Sequence, residues 1–538
     1  MPSRLEAVRF LNQATFGPTE ADIQRVMSRG YAAWLDEQFA LPLAADYHWK
    51  RYASATGSVA GARTVYASFY TQALTAPDQL RQRVAFALSQ IMVVSALDVN
   101  GDNTAAVAAY NDMLGRNAFG SYRTLLQDVA LHPAMGLYLS HLKNRKEDLR
   151  FGRTPDQNFA RELMQLFSIG LVKLRADGTP LVDAGGSPIE TYTQDDIVGL
   201  SRVFTGWSWA GPDTTDPRFY GLPTARDSQR LKTPMQAYSK WHSVSEKRFL
   251  GKTIPPQASP DAAGDLRIAL DTLAAHANVG PFIGRQLIQR LVTANPSPAY
   301  VARVAAVFAN NGAGVRGDLK AVVRAILLDA EARAPAASQS AGFGKLREPV
   351  LRLTAALRAF GATSDSGRFL IAPTDEDNPN LAQTPLRSHS VFNFYRPGYV
   401  APASRTGAAG MTEPELQITD ESSTTGYVNV MAALIDRGIG YRGPNNTAAR
   451  PDVQIGVAEE LAVASDTGAL VDRISTKLRG EQPNDALRAE IVAAVDSIAV
   501  PALKSNGSNL GAVQTAQRKR VNVALLLMLA SPEFIVQR

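Results

Sequence analysis

The chain has 538 residues, 45% of them hydrophobic and 20% charged, with 56 Lys and Arg against 50 Asp and Glu and no cysteine. That length exceeds one ordinary core and calls for two to four packed subdomains, and the composition excludes a disordered chain. Thiol catalysis, thiolate metal sites and disulfides are excluded, and a net charge of +6 without a strongly basic block argues against a nucleic-acid protein. The mild positive excess suits an acidic polymer. The one tight cationic cluster, Arg518-Lys519-Arg520, opens a terminal helix and reads as a solvated end. The longest apolar run, Val523 to Ala530, is too short to span a bilayer, so no transmembrane segment is expected. Met1-Pro-Ser-Arg-Leu5 has no apolar leader region, as in a mature chain whose leader has been removed.

Helix signals dominate in chain order. Thr19-Glu-Ala-Asp22 is an N-cap with an acidic third position, and Gly30 stops that helix. Tyr31, Trp34, Leu35 and Phe39 mark a second helix, and further helices are predicted near 60–75, 77–96, 103–115 and 120–131. Thr154-Pro155-Asp156-Gln157 reads as a capping box with Pro at N1, which predicts a helix over 155–169 with Gly170 as its stop. Between 171 and 192 short apolar pieces alternate with Gly turns, so a small β-hairpin insertion is predicted there, holding most of the strand in the chain. Thr193-Gln-Asp-Asp196 opens the next helix, to about Phe204. Long irregular loops follow at 210–262 and 361–420, separated by helices near 260–276, 280–293, 298–310, 318–330 and 345–360. The C-terminal helices are predicted near 423–437, 468–479, 484–499 and 514–530. The fold class is mainly α: a helical core over 1–420 carrying the insertion and both loops, with a C-terminal helical region, 421–538, packed on it.

Several segments together resemble the bacterial family called domain of unknown function 1800. They are Phe10-Leu-Asn-Gln-Ala-Thr-Phe-Gly-Pro-Thr19, Pro155-Asp-Gln-Asn-Phe-Ala-Arg-Glu-Leu163, Tyr192-Thr-Gln-Asp-Asp196 with Phe204-Thr-Gly-Trp207, Gln383-Thr-Pro-Leu-Arg387, and Val391-Phe-Asn-Phe-Tyr-Arg-Pro-Gly398. The resemblance implies an exported protein, periplasmic or extracellular, and brings no activity with it. Many members carry a Trp-His-Asn-His-type segment where this chain has Ala87-Leu-Ser-Gln-Ile-Met92, and a His near Phe167. Both are missing here, so no histidine-held metal or haem is carried over.

The candidate site residues are polar groups in or near these segments. Asn158, Arg161, Glu162 and Gln165 fall on one helical stripe. The stripe is either a solvated face or a cleft wall, with Glu162 as acid or base, Arg161 as an anion contact and Asn158 as a donor. Tyr192 and Asp195 sit at the next helix start, where acids also serve simply to cap it. Arg202 is placed to pair with them, and Trp207 to stack on a sugar or to fill the core. His242, in the long loop, is the most interesting of the six histidines; none of them has metal-ligand spacing, so no transition-metal site and no cofactor are expected. Calcium on Asp375, Asp377, Asn378 and Asn380 stays open. Arg387 belongs to an aromatic-basic run fit for polymer binding or for bracing an irregular segment. Two readings follow. One is an exported enzyme that hydrolyses or β-eliminates an acidic polysaccharide, with Glu162, Tyr192 and His242 catalytic. The other is a non-catalytic secreted binding or assembly protein.

Overall fold

The computed structural model describes residues 1–55, 61–334, 342–376, 380–442 and 450–538. Helix accounts for 53% of it and strand for 6%. Helices begin where the sequence supplies a cap. Reciprocal capping boxes precede Arg4–Ala14 (Ser3 with Glu6), Gln194–Val203 (Thr193 with Asp196) and Glu421–Arg437 (Asp420 with Ser423). Each satisfies first-turn N–H groups that the helix leaves unpaired and is worth about 1 kcal/mol. The predicted helices at 298–310, 318–330 and 468–479 are Pro298–Ala309, Leu319–Leu328 and Thr467–Arg479.

The helix predicted from 155 begins later, as Asn158–Gln165. Thr154 does not cap it. Asn144 holds Asp156 instead, accepting its N–H at 2.9 Å and donating to its carbonyl at 3.2 Å, and the Asp156 carboxylate takes the Asn158 N–H at 2.8 Å. A two-point tertiary clamp outweighs a local capping pattern. The cationic cluster is not a solvated end either, because it lies within the helix Leu510–Ala530. Arg518 donates to the Ile435 carbonyl at 2.7 Å and Arg520 to that of Ile498 at 2.9 Å, satisfying acceptors at the ends of two neighbouring helices.

Strand is distributed differently from the prediction. The named strands are four antiparallel pairs: Trp207–Ser208 with Gln236–Ala237, Lys247–Phe249 with Lys252–Ile254, Lys345–Leu346 with Val536–Gln537, and Thr363–Ser364 with Val453–Gln454. The insertion 171–192 makes only isolated bridges, because its three short segments close on one another in a ring. The Lys173 N–H donates to Ile189 at 2.7 Å, the Ile189 N–H to Leu181 at 3.0 Å, and the Leu181 N–H to Lys173 at 2.7 Å. Asp177 and Asp183 accept backbone N–H groups two residues on, and Gly178 and Gly186 turn the chain at φ +78° and +83°, where a side chain is strained. Asn278 fixes this arm to the body. Its amide donates to the Ile169 and Val172 carbonyls at 2.8 and 2.7 Å and accepts the Leu174 N–H at 3.0 Å.

Apolar side chains gather in two main clusters. The first runs from Arg4–Ala14 through Leu319–Leu328; the second joins Pro349–Ala359 to Glu421–Arg437, Thr467–Arg479 and Leu510–Ala530. The C-terminal apolar unit therefore begins upstream of residue 421. A buried ionic hub lies where the two meet. Glu348, fully buried at the start of Pro349–Ala359, accepts from Tyr395 Oη and Gln383 Nε2, each at 2.6 Å, and from Gln90 Nε2. Lys345 pairs with Glu415 at 2.7 Å and donates to the Gln289 and Arg290 carbonyls. Arg83 donates to the same Arg290 carbonyl, and the Arg290 guanidinium lies 4.6 Å from the centre of the Tyr395 ring. Burial drives the Glu348 carboxyl upward, but the charges of Lys345 and Arg83 and its hydrogen bonds outweigh that, so it sits below the usual carboxylate range.

The Asn278 clamp yields a direct expectation. Asn278→Ala removes three hydrogen bonds, one buried and two partly buried, at about 1 kcal/mol each. Trypsin should then cut the arm at Lys173 or Arg175 on the order of ten-fold faster or more, with the helical body intact by circular dichroism. Unchanged cleavage would show that something else holds the arm.

Candidate functional site

The polar stripe on Asn158–Gln165 is not uniformly solvated. Asn158 is exposed, Arg161 and Gln165 are half-buried, and Glu162 is only 8% exposed. The helix puts Phe159 and Leu163 into the first apolar cluster, and Glu162 lies beside that apolar face, three residues after Phe159. Two tyrosines share its surroundings. Tyr138 ends the short helix Pro133–Tyr138, whose first turn is capped by His132 accepting the Ala134 N–H at 3.2 Å. Tyr192 leaves the arm and donates to Gln165 Oε1 at 3.3 Å.

Electrostatics tie these groups together. Burial raises the pKa of Glu162, with the Arg161 charge opposing. Among the described residues its Oε2 is sealed from solvent without a hydrogen-bond partner. Burial also raises Tyr138, and the charges of Asp98 and Glu162 add to it. Tyr192 is raised by burial and by Glu162, with Arg161 opposing. Both phenols therefore stay protonated and act as donors, while Glu162 is the carboxyl most biased toward its acid form in this neighbourhood.

The loop after residue 380 reaches the same place. Ser388 lies beside the Tyr138 phenol and opposes the rise in its pKa, and Leu386 accepts the Ala96 N–H at 2.9 Å, which ties the loop to the turn carrying the exposed Asp98. Ala382, Leu386 and Asn393 hold φ values of +56°, +60° and +64°, left-handed backbone that costs a non-glycine residue about 1 kcal/mol or more. Gln383 and Tyr395, both bound to Glu348, brace that strained path.

The structure thus brings Arg161, Glu162 and Tyr192 together and adds Tyr138, Asp98 and Ser388, which sequence reasoning did not single out. Tyr138 carried one usable signal, the His132-Pro133 helix start just before it. Most of the other predicted residues have their polar groups committed elsewhere, while Asn158 and Asp195 are exposed. His242 is fully buried, its Nδ1 2.7 Å from the Thr205 carbonyl and its Nε2 2.9 Å from Asp265 Oδ2. Lys247 meets the same Asp265 oxygen at 2.8 Å. Burial pushes the Asp265 carboxyl up, but hydrogen bonds from His242 and Lys247 outweigh it and hold the group below its usual range. His242 therefore pins the long loop to the body and has no face open to a ligand. Trp207 is buried, with Nε1 donating to the Val203 carbonyl at 3.2 Å, so it fills the core rather than forming a stacking platform. Arg202 donates to the Glu246 carbonyl at 2.5 Å rather than to the acids of its own helix. Asp195 is exposed in a first turn, and Asp196 is spent on the Thr193 cap and on the Leu250 N–H. Arg387 pairs with Asp375 at 2.5 Å and Glu376 at 3.1 Å, bracing its own loop. Of the possible calcium donors, Asp377 and Asn378 lie outside the described residues. Among the described residues no group of three or more His, Asp or Glu is placed to hold a metal, and no helix is long and apolar enough to cross a membrane.

The buried Glu162 has a signed effect on stability. A carboxyl whose pKa is raised on folding contributes stability fully below its unfolded value, and that contribution is lost as the pH rises through the folded value. Glu162→Gln should therefore match the wild type near pH 4 and exceed it at pH 8 by about 1 kcal/mol, read by urea denaturation at both pH values. A loss of stability at pH 8 would mean that the charge is well paired.

Over residues 9–536 the chain matches the family described as Protein of unknown function (DUF1800). No curated protein and no solved structure matches it. The helix carrying Glu162, the exit of the arm at Tyr192 and the strained loop through Ser388 all lie within the matched span, and the chain belongs to the DUF1800 family.

Proposed function

We propose that the protein is a glycoside hydrolase acting on an acidic polysaccharide in the periplasm or outside the cell, with Glu162 as the proton donor. The observation that carries this reading is the state of Glu162: a carboxyl nine-tenths buried, biased toward its acid form by burial, whose charge helps to keep two neighbouring tyrosines protonated. A general acid for a glycosidic oxygen needs a raised pKa in a poorly solvated place. For the second carboxylate that such chemistry requires we assign Asp98, which is exposed and whose charge, like that of Glu162, acts on the Tyr138 phenol, as base or nucleophile. Arg161, half-buried beside Glu162, supplies the charge that recognises a uronate or sulfate on the polymer. The Tyr138 phenol donates to a sugar hydroxyl, and the Tyr192 phenol, whose proton goes to Gln165, accepts from one.

Hydrolysis is favoured over β-elimination on the same grounds. A lyase base at Tyr192 would have to form a phenolate, which burial and the adjacent Glu162 both oppose, and His242 is not there to assist it.

The test is a screen of the purified chain against neutral and anionic polysaccharides, following new reducing ends and unsaturated products in parallel. Reducing ends without unsaturation are expected. Glu162→Gln should cut kcat about 100-fold or more while the fold is kept. Wild-type kcat/KM should fall as the pH rises through the raised pKa of Glu162, since the acid form is the active one. Tight polysaccharide binding with no turnover would replace this reading with that of a binding protein.

A further inference from the structure

The turn between Asp148 and Arg153 holds two large apolar side chains out in water. Leu149 is 93% exposed and Phe151 81%. They sit on a braced backbone. Asp148 and Arg153 exchange both backbone hydrogen bonds at 3.0 Å, and the Asp148 carboxylate accepts the Arg150 N–H at 3.1 Å. Gly152 turns the chain at φ +60°, and Arg153 Nε donates to the Lys146 carbonyl at 2.9 Å. Exposed apolar side chains on a fixed turn mark an interaction surface.

The charge around this tip is net positive. Lys143, Arg145, Lys146, Arg150 and Arg153 crowd the stretch that carries it. Its two acids are turned inward or used up. Glu147 accepts from the hydroxyls of Ser243, at 2.8 Å, and Ser245. Asp148 is spent on the Arg150 N–H and on Arg153. Arg145 leans over the Trp241 ring, 5.9 Å from its centre, and reaches the hydroxyl of Tyr220 at 3.5 Å. Tyr220 and nearby Leu222 are themselves 37% and 47% exposed, which widens the apolar footprint.

We infer that this tip is a peripheral membrane anchor that takes an anionic lipid surface. Leu149 and Phe151 enter the boundary between headgroups and acyl chains, and the basic collar meets the anionic headgroups. A folded protein partner asks for about 800 Å² of matched surface on each side, whereas the apolar contact here is two exposed side chains on a turn with Tyr220 and Leu222 at its margin. A fluid, negatively charged layer makes no such demand on shape. The inference does not depend on the assignment of Glu162.

Co-sedimentation of the full chain with vesicles tests it, using phosphatidylcholine alone and phosphatidylcholine mixed equally with phosphatidylglycerol. The wild type should sediment with the mixed vesicles, more weakly with phosphatidylcholine alone, and less as salt is raised. Leu149→Ser with Phe151→Ser should lower the partition coefficient about ten-fold or more, and Arg150→Glu should lower it on mixed vesicles only. These positions are exposed, so all variants should keep the wild-type circular dichroism spectrum and Tm. No sedimentation of the wild type with mixed vesicles, or equal sedimentation of the double variant, would overturn the proposal. So would retention on a soluble polyanion alone, which would make the collar a polysaccharide contact.

Discussion

The fold depends on keeping one carboxylate charged where there is no bulk water. Glu348 lies between the two apolar clusters, and transferring an isolated carboxylate there would cost several kcal/mol. The chain meets that cost with neighbouring Lys345 and with groups drawn from distant stretches: Arg83 and Gln90, Gln383, and Tyr395, whose ring is covered by Arg290. Each must arrive for the others to be satisfied, so the hub acts as a register mark between the first apolar unit and the C-terminal one. It also reaches the candidate site. The left-handed residues Ala382, Leu386 and Asn393 are close in sequence to Gln383 and Tyr395, so the hydrogen bonds that solvate Glu348 also brace the loop that carries Ser388. Strain near a candidate site is offset by a buried interaction some distance along the chain.

How much of this could be read from the amino-acid order depended on the range of the interaction. Local signals served well: the Thr193–Asp196 box opens the helix where it should, and Thr19 with Asp22 does the same. They failed where a distant side chain won. Asn144 overrides the capping box at Thr154, and the ring of hydrogen bonds in the arm leaves bridges where regular strands were expected. Arg518 and Arg520 look like a free cationic end until the carbonyls of Ile435 and Ile498 are seen to meet them.

The site followed the same rule. The stripe through Arg161 and Glu162 was visible because helical spacing groups those residues, and Tyr192 because it begins the next element. Tyr138, Asp98 and Ser388 come from three other stretches and carry no shared spacing. His242 misled for a physical reason: a histidine in a long polar loop reads as reactive, but its two ring nitrogens have internal acceptors, one of them an aspartate that also binds Lys247. A loop of that length needs an anchor, and its most polar residues are what an anchor is made from.

The arm at 171–192 closes on itself and begins and ends at nearly the same point. Thr191 returns its N–H to the Leu171 carbonyl at 3.0 Å and its hydroxyl to that of Gly170. The helices on either side, Asn158–Gln165 and Gln194–Val203, therefore meet across a junction whose geometry does not depend on what is threaded between them. Such a junction is a natural insertion point. A change of length or sequence between Leu171 and Thr191 would then leave Glu162 in place relative to Tyr192 while altering what approaches the site.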